Sequence, residues 1–175
     1  MIIILNGPPG CGKDTLAKML MCHGFAHTEF KHDLYVKTAE FYSVSLLAFK
    51  ERHKNRELKE LPFKQGLSTR QMLIHVSENV YKPTYGQDYF GRLAAARCAQ
   101  IKGDIVFSDG GFPAEVTPLG DDVLVIRLHR EGFTFEGDSR NYLDLPNAVD
   151  VELFDDCQAA AIGEILHHAR NYRTR

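Results

Sequence analysis

Residues 2–20 read IIILNGPPGCGKDTLAKML, and the division of this stretch decides the fold. Ile2, Ile3, Ile4 and Leu5 are apolar, mostly β-branched, and cut off at once by turn residues. That is the signature of a strand buried on both faces of a parallel sheet. Gly7, Gly10 and Gly12 follow, with Pro8 and Pro9 among them; Leu16, Ala17, Met19 and Leu20 then fall at helical spacing. The pattern G-x-x-x-x-G-K, Gly7 to Lys13, thus sits between a strand and a helix. In that setting it binds phosphate rather than merely turning the chain. Glycines let successive backbone N–H groups turn inward around an anion. The helix N-terminus adds partial positive charge beneath them, and Lys13 carries a full charge to the terminal phosphates.

The rest of the chain is consistent with one globular unit. Its 175 residues suit a single domain with a real core. A formal net charge of −2 supplies no general basic field, which disfavours extended nucleic-acid binding. Cys11, Cys22, Cys98 and Cys157 show no Cys-x-x-Cys spacing. They read as reduced thiols of a cytoplasmic protein, not as a zinc site or a disulfide frame. The opening MIIIL is too short for a secretion signal and lacks its basic leader. No apolar run reaches membrane-spanning length. The histidines form no H-E-x-x-H pattern, and the adjacent His167 and His168 point to different faces of an expected helix.

Downstream, GFAHTEF (24–30) reads as a short second strand, and 33–51 as a helical stretch broken near Ser43. Residues 53–66, HKNRELKELPFKQG, are polar and end in Pro62 and Gly66, as a loop or mobile segment would. Ser68 and Gln71 form an S-x-x-Q capping box. It opens a helix with Met72, Leu73, Val76 and Val80 on its apolar side, closed by Pro83 and Gly86. A helix over about 88–100, strands at 104–111, 122–129 and 148–154, and a final helix to about Tyr172 complete the pattern. Strands alternating with helices give an α/β fold with a mostly parallel sheet covered on both faces.

Ligands of such sheets bind beyond the carboxyl ends of the strands. That rule gathers the glycine loop, Asp109, Arg127 with Arg130, and the segment after the second strand on one rim. Asp109 ends the apolar run IVF and stands where Mg²⁺, or a water on it, is held. Residues 127–143, RLHREGFTFEGDSRNYL, supply Arg127, Arg130 and Arg140 together with Gly132 and Gly137. Phosphoryl transfer needs cations over the migrating group and exclusion of water. A glycine-hinged, arginine-bearing flap supplies both. Arg70, in the first turn of its helix, opposes the helix dipole unless an anion sits there. It is therefore a candidate clamp for an acceptor phosphate, with Glu78 two turns further on. Lys31, Asp33, Arg92 and Arg97 are further candidates on the acceptor side. Cys11, among the loop amides and beside Lys13, is expected to be readily oxidised unless a bound nucleotide shields it.

Asp14 stands where many such loops place a hydroxyl, and Thr15 follows it. The resulting pattern G-x-P-G-x-G-K-x-T resembles the adenylate-kinase-like nucleoside monophosphate kinases. GKDT (12–15), YGQDYFG (85–91) and SDGGFPAE (108–115), with its Asp-x-x-Phe-x-x-Glu spacing, look most like the bacteriophage-type deoxynucleoside monophosphate kinases. The resemblance covers patches from Ile2 to about Tyr142. It implies a three-layer P-loop NTPase fold: a five-stranded parallel sheet with helices on both faces, a small lid at about 129–145 and an acceptor-binding helical region at about 31–100. It also implies ATP as phosphoryl donor with Mg²⁺. Gly7, Gly10, Cys11, Gly12, Lys13, Asp14 and Thr15 would surround the donor phosphates. Asp109, through water, and Thr15 would hold the metal, and Arg127, Arg130 and Arg140 would act with Lys13 in catalysis. Lys31, Asp33, Arg70, Glu78 and Arg92 remain the acceptor-side set. There is one departure. These families place an arginine beside the Phe-Pro turn, where this chain has Gly111 and Ala114 around Phe112 and Pro113. Either Arg70, Arg92 or Arg97 takes over that task, or the acceptor is not a nucleoside monophosphate.

The expected activity is ATP-dependent transfer to a (deoxy)nucleoside 5′-monophosphate, giving ADP and the diphosphate. One alternative is a P-loop kinase that phosphorylates a hydroxyl of a small metabolite or nucleoside, with Asp33 as base. Another is a nucleotide-binding module without catalysis. The expected partners are small nucleotides, with no membrane and no extended nucleic acid. The expected assembly is a monomer or homodimer, in the cytoplasm, or in the host cytoplasm if the source is a phage.

Overall fold

The computed structural model describes residues 1–155 and 157–174. In chain order they form β1 (Ile2–Asn6), α1 (Lys13–Met21), β2 (Ala26–Thr28), α2 (Lys31–Phe41) and α3 (Leu46–Lys54). Then come β3 (Pro62–Lys64), β4 (Leu67–Ser68), α4 (Thr69–Ile74), α5 (Lys82–Tyr85) and α6 (Tyr89–Cys98). The series ends with β5 (Ile105–Phe107), α7 (Pro113–Val116), β6 (Val123–Arg130), β7 (Ala148–Leu153) and α8 (Gln158–Arg173). Five strands make one parallel sheet in the order β2-β5-β1-β6-β7.

β1 is the central strand, and this accounts for its unbroken apolar run. Alternate side chains leave a strand on opposite faces. Ile3 and Leu5 meet Leu16 and Leu20 of α1 and Ile162 and Ile165 of α8. Ile4 faces the other way, into Phe30, Phe107, Ala94 and Val116. With helices on both sides, no position on β1 is left for a polar residue except its end. A third apolar cluster of Tyr35, Tyr42, Phe49, Met72, Leu73 and Val76 holds α2, α3 and α4 together.

The break near Ser43 is where α2 gives way to α3: Ser43 has φ 51°, and the Ser45 side chain caps the next helix. The capping box of Ser68 and Gln71 is present with both of its hydrogen bonds. Two local readings need correction. Residues 53–66 are not simply a loop, because β3 and β4 pair as an antiparallel ribbon. Gln65 and Gly66, at φ 52° and 76°, give the two consecutive left-handed residues that a tight hairpin turn requires. Pro83, in turn, does not close its helix. α4 runs on through a π-helical stretch, His75–Tyr81, into α5, where Pro83 lies in the first turn. A missing N–H is tolerated there, and the run stops instead at Gly86, at φ 100°.

α7 is seated by a glycine. A Cβ on Gly91 of α6 would lie 2.6 Å from the Glu115 carbonyl oxygen and 2.8 Å from that of Ala114. Gly91→Ala gains about 1 kcal/mol of helix propensity. It also drives a methyl into backbone that cannot rotate away, an overpacking of about 1–3 kcal/mol. The expected result is a lower urea midpoint at unchanged slope; a raised midpoint would mean that α6 and α7 are not in this contact.

Candidate functional site

The loop between β1 and α1 is the centre of the site. Gly10 and Gly12 take φ 81° and 115°, a backbone that side-chain-bearing residues rarely adopt. Gly12 is the N-cap of α1, and no side chain caps that helix. Gly10, Gly12, Lys13, Asp14 and Thr15 border a cavity of about 680 Å³. The Lys13 ammonium folds back over the loop and donates to the carbonyls of Gly7 and Pro8, at 2.6 Å each. Burial lowers its pKa, and the positive charge of Arg140 adds to that effect. Cys11 departs from the expectation of ready oxidation. It is fully buried beneath the loop, so close to Gly7 that a Cβ there would sit 2.9 Å from its sulfur. Reagents reach it only when the loop opens.

Asp109 lies just past β5 and borders the same cavity. Its two oxygens accept from the amides of Phe30 and Lys31, at 2.8 and 3.0 Å, so it also fastens the start of α2. Thr15 and Asp109 face this one space. Among the described residues no cluster of His, Cys, Asp or Glu could hold a metal unaided. That donor set fits Mg²⁺ bound mainly through phosphate oxygens and water, which is the ion's usual habit.

The three flap arginines part company. Arg140 borders the loop cavity and a second one of about 430 Å³ that adjoins it. Asp138 holds its guanidinium at 2.9 and 2.7 Å, and this pairing keeps the Asp138 carboxyl down at about 2. Arg130 lies on another side of the loop. It pairs with Asp155, stacks on Phe133 and reaches the Cys11 carbonyl at 3.4 Å. It borders a small cleft with Gly12, Thr15 and Phe154. Arg127 faces away. β6 and β7 place it directly opposite Asp150, with which it forms a two-bond ion pair at the surface. Gly132 and Gly137, the expected hinges, have φ 78° and 73°.

Asn6, which sequence reasoning passed over, fixes the flap. At the buried end of β1 its amide donates to the carbonyls of Gly110 and Asn141, and its oxygen accepts from the Leu143 amide. Gly111 makes room beside it. A Cβ there would lie 2.6 Å from Cδ of Arg140 and 2.8 Å from its Cγ. The arginine stem therefore occupies the space that a side chain at 111 would fill.

On the acceptor side, a third cavity of about 400 Å³ adjoins the second. Lys31 borders all three. Arg70 borders the second and third while pairing with Glu60 at 3.3 Å. Glu78 borders the third and pairs with Lys82 at 2.5 Å. Asp33 is bound to Arg97 at 3.0 Å, and Arg97 also holds Thr28 and the Glu29 carbonyl. Arg92 binds the Tyr85 carbonyl and lies 3.6 Å from Asp88, away from the three cavities. Of the arginines considered for the missing one, Arg70 alone borders this trough, and Arg140 passes directly over Gly111.

Residues without a sequence-based role also line the second cavity, among them His53, Lys59, Phe112 and Glu115. Burial and the nearby Lys31 charge push the His53 pKa down to about 4. Burial, with the Asp109 charge, pushes that of Glu115 up to about 8. Only Glu115 and Phe112 had a sequence signal, inside the stretch SDGGFPAE.

The sheet order, the loop before α1 and the helical layers define the three-layer α/β architecture of P-loop proteins. No protein-family model and no curated protein sequence matches the chain. Among solved structures, TT1252 from Thermus thermophilus aligns with a TM-score of 0.52 at 16% identity, over 98% of this chain and 96% of that one. A dephospho-CoA kinase from Campylobacter jejuni aligns with a TM-score of 0.50 at 11% identity, over 96% of each chain. A gluconokinase from Sinorhizobium meliloti 1021 aligns with a TM-score of 0.46 at 14% identity, over 98% of this chain and 93% of that one. At such identities the likeness establishes the fold. No helix among the described residues is long and apolar enough to cross a membrane.

Proposed function

We propose that the chain is an ATP-dependent phosphotransferase acting on a nucleoside, chiefly deoxynucleoside, 5′-monophosphate. The observation that carries the reading is a continuous trough. The glycine-loop cavity passes through a charged middle, where Lys31, Lys59, Arg70 and Arg140 stand among Asp109, Glu136 and Asp138, into an apolar cavity lined by Phe30, Leu34, Leu73, Phe90 and Phe112. Donor phosphates fit the first, the meeting phosphates the second and a flat base the third. The fold shared with a dephospho-CoA kinase supports phosphoryl transfer. The GKDT, YGQDYFG and SDGGFPAE stretches support the deoxynucleotide branch.

In this reading the chain is a single P-loop kinase domain, with about 31–100 binding the acceptor and about 129–145 serving as lid. The loop amides and Lys13 hold the donor phosphates, while Arg140 and Arg70 neutralise the meeting phosphates. Asp109 and Thr15 would orient Mg²⁺ through its waters. The metal would supply charge neutralisation at the β- and γ-oxygens. Arg130 and Phe154 flank the outer cleft beside the loop. Arg127, Arg92 and Asp33 take structural ion pairs instead. No strong base is needed, because the acceptor phosphate is itself the nucleophile and positioning does the rest.

A second reading, a hydroxyl acceptor, has one observation in its favour: Glu115 puts a carboxyl with a raised pKa in the trough, as a general base would require. Its original base, Asp33, is held by Arg97. ADP release measured over a panel of monophosphates, nucleosides and sugar acids separates the readings. Stimulation by a monophosphate is expected. Release stimulated by hydroxyl compounds alone would transfer the conclusion to the second reading.

A further inference from the structure

The Glu115 side chain has no hydrogen bond or ion pair with the described residues, and it is half-buried, facing the trough. It sits on α7, pinned by the close approach of Gly91. The charged groups facing it are Asp109 after β5, Lys82 on α5, Lys31 on α2 and Arg140 on the flap. It borders both the aromatic cavity and the charged one, and the other described residues that do so are Lys31, Arg70, Phe112 and Ser139. Among the described residues Glu115 is the only acid at this junction. A carboxyl that faces a cavity with no protein partner is free to bind a polar group of a ligand.

We propose that Glu115 reads the sugar of the acceptor by hydrogen-bonding its 3′-hydroxyl. The inference rests on the acceptor placement given above. In a nucleotide the sugar separates the base from the phosphate, as Glu115 separates the two cavities. A hydroxyl both donates and accepts, so it serves the carboxyl in either protonation state. A base N–H can only donate, so it would leave the acid proton of the neutral form without an acceptor. A bound acceptor without that hydroxyl would cover the carboxyl and leave it unpaired, and the site discriminates against it.

The test uses the full chain and its Glu115→Gln and Glu115→Ala variants. Binding of the four deoxynucleoside 5′-monophosphates and of their 2′,3′-dideoxy counterparts is measured by calorimetry, and transfer by ADP release. For the preferred base, wild-type protein should bind the deoxy compound up to roughly tenfold more tightly than the dideoxy one, the loss expected for one hydrogen bond. Glu115→Ala should bring that ratio close to one by weakening the deoxy compound alone. Glu115→Gln, nearly isosteric, should retain part of it and an unchanged urea midpoint. An equal ratio in wild type and Glu115→Ala overturns the inference while transfer to monophosphates stands. A collapse of kcat in both variants with the ratio intact also overturns it, since the carboxyl would then be a base. Hydroxyl-dependent binding that Glu115→Ala abolishes, without any transfer, supports the inference and removes the proposed reaction. Absence of all nucleotide binding removes both.

Discussion

Lys13→Met is expected to lower kcat for phosphoryl transfer by about 10²–10³-fold, the scale found when one preorganised donor is removed from developing negative charge. The fold should survive. In wild type the ammonium is buried and satisfied by two loop carbonyls at 2.6 Å. Removing it strands those carbonyls, at about 1–3 kcal/mol for an unsatisfied group, but it also relieves the desolvation that lowers the lysine's pKa. The two effects oppose each other, so the urea midpoint should move little while turnover falls. The resting contacts carry a further implication. In the proposed reaction nucleotide would draw Lys13 off Gly7 and Pro8, so part of the phosphate attraction would be used to break bonds the loop already has. A Lys13→Met variant within a few-fold of wild-type turnover would remove the glycine loop from the reaction.

Gly111→Ala is expected to act on a second cation without touching the loop. The added methyl would meet the stem of Arg140 at 2.6 Å. That stem must move, and the Asp138 pairing that aims the guanidinium moves with it. A displacement of about 1 Å at a positioning group can cost on the order of 10²-fold in rate. The expected readout is a matching fall in kcat and kcat/KM, with little change in folding stability because Arg140 can swing outward. Arg140→Ala should reproduce the defect, and combining the two should add little, since both remove one interaction. Strictly additive losses would show that Gly111 matters for some other reason.

The parts of this architecture that were legible in the sequence are local. Ile2 to Thr15 spells strand, loop and helix within one short stretch, and β5 and β6 announce themselves by apolar runs. The arginines show where local reading stops. Arg127, Arg130 and Arg140 look equivalent in sequence, but register sets Arg127 against Asp150, whereas Asn6 and Gly111 bring Arg140 to the loop from more than a hundred residues away in the numbering. The ribbon of β3 and β4 is too short to show alternation, and the π-helical stretch has no 3.6-residue signature to find. Glu115 stood in a quoted motif without a role, because its place between two cavities comes from α7 packing against α6 at Gly91.

The strand order also bears on how the molecule is made. β1 lies between β5 and β6, with Ile2 opposite Ile105 on one side and Val123 on the other. The ribosome therefore produces the innermost strand long before either of its neighbours. At about 5–20 residues per second, roughly 5–20 s pass before the first of them emerges. Throughout that interval a sticky isoleucine-rich segment has no pairing partner in the growing polypeptide, which makes the nascent chain a natural client for holding chaperones.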